Sequence, residues 1–225
     1  YILHALRVDA PLVDLRLLSL PTFRATITAG TLFRIGVGAS PFLLPLMLQI
    51  GFGLTPFQSG ALTFVSGLGA MVMKFAAQPI LRRFGFRGVL VSNAVIAAAF
   101  VAAPAFFTVT MPWQIMMGVL FVGGLSRSLQ FTSINAIAYA DVTSERLSSA
   151  TSFSAVMQQL TGTIGITLAA MMLELMGALR GVAATDLGNF PAVYAVIALM
   201  TLVSAVAFMR LSRDAGANML GRRAN

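Results

Sequence analysis

The sequence has no cysteine and one histidine, His4. The first absence excludes disulfides, thiolate metal sites and cysteine nucleophiles. With a single histidine outside every apolar run, there is no His-Glu-x-x-His zinc helix and no serine–histidine pair within a membrane. No Gly-x-Ser-x-Gly motif and no aspartyl pair appears either. "GAS" at 38–40 resembles one fragment of intramembrane serine protease sites, but it lacks a histidine partner. Neither a metal nor a cofactor is expected, and an enzyme is the weakest functional class. Charge is also scarce. Asp, Glu, Lys and Arg make up 10% of 225 residues, against about a quarter in soluble domains.

Apolar residues fill that space. They make up 58% of the chain, and the mean hydropathy is +0.88. A surface so poor in charge needs lipid as its solvent. The net charge is +8 and the pI about 11.5. The basic residues stand at the ends of apolar runs instead of forming a patch between aromatics, so no nucleic-acid partner is expected.

Six runs are long and apolar enough to span a bilayer: 24–50, 57–80, 88–108, 113–140, 149–179 and 190–211. At about 1.5 Å per residue each crosses roughly 30 Å of hydrocarbon. Membrane strands would be about ten residues long with alternating polarity, and these runs are longer and apolar on both faces. The expected division is a cytoplasmic lead-in at 1–23, a six-helix transmembrane domain at 24–211 and a cytoplasmic tail at 212–225. Tyr1 is not an initiator methionine and no signal-peptide pattern follows it, so the chain is expected to belong to a longer protein. One set of alternating loops holds Arg7, Arg16, Arg24, Arg82, Arg83, Arg87, Arg146, Arg210, Arg213, Arg222 and Arg223, and the other holds only Arg180. The positive-inside rule then places both termini in the cytoplasm, as an even number of spans requires. Lys74 and Glu174 lie within reach of a headgroup layer, and Trp113 suits an interfacial anchor.

Two arginines lie too deep to snorkel, Arg34 and Arg127. A lipid-facing arginine at that depth costs about 2.5–3.5 kcal/mol on insertion scales, so each needs a wet cavity or a protein partner. The segment "LFVGGLSRSLQFTSIN" at 120–135 surrounds Arg127 with Ser126, Gln130 and Ser133 at helical spacing, a polar face suited to a cavity wall. On the first span Gly30, Arg34 and Gly38 recur every fourth residue, so Arg34 either lines the cavity or ties the bundle to a neighbouring carbonyl. Pro41 and Pro45 are expected to bend the helix beyond them. On the fifth span Gly162 and Gly165 suit close helix packing, and Gln158 suits either packing or a wet face.

Several segments resemble the C-terminal half of major facilitator superfamily transporters. "QPILRRFGFRGVL" at 78–90 is similar to the superfamily's loop motif Gly-x-Leu-Ala-Asp-Arg-x-Gly-Arg-Lys at Arg83, Gly85 and Arg87, with Arg82 where the motif has aspartate. "PLVDLRLLSLPTFR" at 11–24 and "LPLMLQIGFGLTPFQSGAL" at 44–62 resemble the fourteen-span drug:proton antiporter branch, of EmrB/QacA type. "QQLTGTIGITL" at 158–168 resembles that branch's Arg-Gln-x-Gly-Gly-x-x-Gly, with Gln158 in place of arginine. The resemblance implies an all-α membrane protein: six transmembrane helices forming two inverted three-helix repeats, one half of a major facilitator fold. The implied partners are the lipid bilayer, the N-terminal half of the same transporter, a small-molecule substrate and protons, in a bacterial inner membrane. It implies efflux of small amphipathic or organic molecules by alternating access, with the proton-carrying acids in the other half. Arg127, Gln130, Ser126, Ser133, Arg34 and Gln158 would line the cavity. The competing classes are a non-transporting membrane scaffold, a homodimeric half-transporter or channel, and an intramembrane enzyme.

Overall fold

The computed structural model describes residues 15–212 and 214–220. His4, Arg7, Arg213, Arg222, Arg223 and most of the expected lead-in lie outside them. All regular structure among the described residues is helical: α1 (Pro21–Gly38), α2 (Ser40–Leu46), α3 (Pro56–Ala102), α4 (Trp113–Ala138), α5 (Leu147–Arg180) and α6 (Phe190–Phe208). Five helical runs are long and apolar enough to cross a membrane. The first joins α1, α2 and a π turn over Met47–Gly51.

Breaks in these runs have local causes. The chain between α1 and α2 is interrupted at Ala39, and Pro41 occupies the first turn of α2, where its missing N–H is harmless. Pro45 lies inside α2, just before the π turn. A capping box starts α3: Gln58 N–H donates to Thr55 Oγ1 at 3.3 Å, and Thr55 N–H donates to Gln58 Oε1 at 2.9 Å, with Pro56 at the first helical position.

The interval 81–87, expected as a loop between two spans, is instead helical except at Gly85. There φ is 75° and ψ 162°, a conformation essentially reserved for glycine. This one residue folds α3 into two limbs. Ser66 on the first limb hydrogen-bonds Arg127, and Asn93 on the second hydrogen-bonds Ser126. A straight helix would hold positions 66 and 93 about 40 Å apart, yet both reach adjacent residues of α4. The limbs therefore clasp α4 at one level. No long loop was needed because one left-handed glycine suffices for the reversal. Elsewhere the helices end within a few residues of the expected limits, α1 starting at Pro21 and α6 ending at Phe208.

Close helix contact depends on missing side chains. A Cβ on Gly69 would strike the Phe121 carbonyl, and one on Gly124 would strike the Ser66 carbonyl. The first limb of α3 and α4 thus meet backbone to backbone. A Cβ on Gly36 would strike Thr201 of α6, and one on Gly165 would strike the Ile35 carbonyl of α1. A Cβ on Gly38 would come 3.3 Å from Gly162 Cα. Gly162 and Gly165 thus stand at the α1–α5 crossing. The apolar core threads through these contacts and includes Phe33, Leu48, Leu90, Ile134, Phe190 and Ile197. Past α6 the chain returns to the bundle end: Ala215 is buried, and Gly216 lies against Phe86 and Ile137.

Candidate functional site

The side chains around Arg127 separate into two groups that the helical spacing alone merges. Arg127 is partly buried and opens onto a cavity of about 300 Å³. The walls come from α1, α2, both limbs of α3, α4 and α6; Ser40, Thr63, Ser66, Phe100 and Tyr194 are among them. Arg127 Nη2 donates to Ser66 Oγ at 3.3 Å, and this is its side chain's hydrogen bond within the described residues. On the next position of α4, Ser128 Oγ donates to the Ala70 carbonyl at 2.8 Å. The two contacts fix the rotation of α4 against the first limb of α3, so Arg127 faces the cavity.

Ser126, Gln130 and Ser133 do not join it there. Gln130 and Ser133 have no exposed surface, and Ser126 has 4%. Gln130 Nε2 donates to the Leu90 carbonyl at 3.0 Å and its Oε1 accepts from Asn93 Nδ2 at 2.8 Å. Asn93 Nδ2 also donates to the Ser126 carbonyl at 2.9 Å, and Ser126 Oγ donates to Asn93 Oδ1 at 3.1 Å. Ser133 Oγ turns back to the Leu129 carbonyl. This is a satisfied polar seam between α4 and the second limb of α3. Because these groups are covered by this chain alone, a partner half could only cover them further. The expectation that they line a shared cavity with Arg127 is corrected accordingly. One turn of helix cannot turn Arg127 and its immediate neighbour Ser126 to the same side, since they stand about 100° apart.

Arg34 is also drawn into protein. Only 5% of it is exposed; its Nη2 donates to Asn135 Oδ1 at 3.0 Å, and its guanidinium stands 6.0 Å from the Phe131 ring centroid. Gly30 makes room for it: a Cβ there would come 3.2 Å from Arg34 Nη1. Of the two readings open for Arg34, the helix-tying one describes its position, with a side-chain amide in place of a carbonyl. Gln158 is exposed on α5, away from the cavity. In the loop motif Gly85 forms the break, Arg83 stands 5.7 Å from the Phe84 ring centroid, and Arg87 is partly buried. Pro41 and Pro45 line the cavity as well as shaping α2.

Three participants escaped the sequence reading. Asn93 completes the polar seam, Ser66 orients Arg127, and Tyr194 brings a phenol to the cavity wall. Asn93 was detectable as an amide deep in an apolar run. Ser66 and Tyr194 had no such mark, because their importance arises from contacts between distant segments.

Comparison with known proteins follows this geometry. The Major Facilitator Superfamily profile matches residues 26–223. A relative from Salmonella paratyphi B carries the name MdtD and a multidrug-resistance designation. It is 32% identical over 223 residues, covering 98% of this chain and 47% of its own length. Relatives of the same name from Salmonella heidelberg and Salmonella typhi are 32% and 31% identical over the same shares. The chain thus spans about half the length of the curated relatives it matches.

Proposed function

Since the chain belongs to the Major Facilitator Superfamily, we propose that it is the C-terminal half of a secondary active transporter and not an enzyme. The observation that carries this reading is Arg127, a cation midway along a membrane-length helix and facing a cavity shared by several others. The two limbs of α3 count as separate crossings, giving six spans in two inverted three-helix repeats. One half would then rock against a similar N-terminal half to alternate access to the gap.

The outer face of α5 supports such a partner. Gln158, Gln159, Thr163 and Thr167 are exposed there beside apolar residues such as Leu160, Ile164 and Ile166. Amides facing hydrocarbon are expensive, so a polar protein surface is their better neighbour. Proton-coupled efflux of small amphipathic or organic molecules follows from the likeness to the antiporter branch. The coupling acid would come from the other half, since among the described residues no Asp or Glu lines the cavity. The inner membrane of a bacterium, with both termini cytoplasmic, fits the relatives and the arginine pattern.

The test is flux in vesicles containing the full-length protein, driven by an imposed pH gradient and read with a panel of amphipathic dyes. Wild type should move at least one dye in a gradient-dependent way. Arg127→Ala and Arg127→Lys should lower flux by roughly tenfold or more, as expected for losing a charge-assisted, geometrically specific contact, while still inserting in the membrane. Undiminished flux in both variants would remove Arg127 from the mechanism.

A further inference from the structure

We infer that the cavity selects amphipathic organic anions: Arg127 holds the acid, and the apolar wall takes the hydrocarbon body. This rests on the transport reading and narrows its substrate class.

The charge balance of the wall comes first. Among the described residues Arg127 is the one ionised side chain on it, and no described carboxylate lines it. The described acids lie elsewhere. Asp141 is hydrogen-bonded to Thr22, and Asp186 is paired with Arg180 at 3.1 Å. Glu145, Glu174 and Asp214 are outside the cavity as well. A guanidinium has five N–H donors, and a single serine at 3.3 Å leaves most of them free of this chain's side chains. Such a fork matches the two oxygens of a carboxylate or sulfonate. A quaternary ammonium would meet a like charge in a site of low dielectric constant, where repulsion is strongest.

The shape of the wall supplies the second requirement. Pro41, Pro45, Phe100 and Pro104 are stiff, apolar surfaces, suited to the flat hydrocarbon body of an aromatic acid.

The experiment is equilibrium dialysis of the purified full-length transporter with three probes: 2-naphthoate, 6-hydroxy-2-naphthoate and (2-naphthylmethyl)trimethylammonium. Wild type should bind both naphthoates roughly tenfold more tightly than the ammonium. R127Q should abolish that preference and R127K should keep most of it, which separates loss of charge from loss of fold. The inference is overturned by equal binding of the ammonium or by lack of saturable naphthoate binding. Gradient-driven flux of cationic dyes without naphthoate binding would sink the anion selectivity and keep the transporter. Naphthoate binding without flux of any solute would do the reverse.

Discussion

Asn93 illustrates how a polar residue in an apolar helix can serve the protein interior. Its amide donates to Gln130 and to the Ser126 carbonyl, and its oxygen accepts from Ser126. Hydrogen bonds between membrane helices contribute about 0.6 kcal/mol each on average, rising to about 2 kcal/mol. Removing a shared hub also strands Gln130. Asn93→Ala should therefore lower the melting temperature of the detergent-solubilised transporter by several degrees. Ser92→Ala is the control: Ser92 is exposed and donates only to carbonyls of its own helix, Gly88 at 2.8 Å among them. It should melt like wild type. Equal melting of both variants would mean that the seam does not stabilise the fold. The expected polar face of α4 was correctly located along the chain. Its division into a cavity side and a seam side was hidden, because helical spacing locates a residue on its own helix and says nothing about which neighbour covers it.

At the scale of elements, glycines decide how the helices meet. Gly124 and Gly69 place α4 and the first limb of α3 backbone to backbone. Gly124→Leu should force these helices apart and lower both stability and flux. Gly118→Ala, on the same helix with open space around it, should be neutral in both assays. Gly85→Ala imposes a side chain on a φ of 75°, a strain of about 1–3 kcal/mol. Gly88→Ala provides the comparison, with its nearest neighbour, Phe84 Cβ, 4.0 Å from the added carbon. Yield and melting temperature of the full-length protein should fall for the first substitution and not for the second. If both glycines tolerate alanine, the reversal of α3 does not depend on the left-handed residue.

For the whole molecule, the asymmetry of arginines is the ground for the proposed orientation in the bilayer. Arg180, which the proposed orientation puts on the outer side, has its own local partners: Asp186 at 3.1 Å and Asn189 Oδ1 at 2.7 Å. Asn189 in turn donates to the Ala183 and Ala184 carbonyls. An exposed ion pair contributes little stability, but it does neutralise the one charge that opposes the inside-positive pattern. This chain has no cysteine of its own, so an introduced one reports its position within it. Phe84→Cys and Thr185→Cys should react with an impermeant maleimide from opposite sides of the membrane, position 84 from the cytoplasm. Reaction from one side at both positions would overturn the six-span arrangement.

Composition, run length and arginine placement by themselves determined a helical membrane protein and where its helices lie, because lipid imposes those constraints on any chain that spans it. The loop motif and the glycine-containing segments were enough to point to the family. Which polar groups face a cavity was decided only by the tertiary structure. The reversal at Gly85 brings Asn93 to one side of α4 and Ser66 to the other. That arrangement buries Gln130, Ser126 and Ser133, turns Arg127 to the cavity and places Tyr194 from a distant helix on the same wall. These are contacts between segments far apart in sequence, set by which surfaces pack closely enough to exclude one another's side chains.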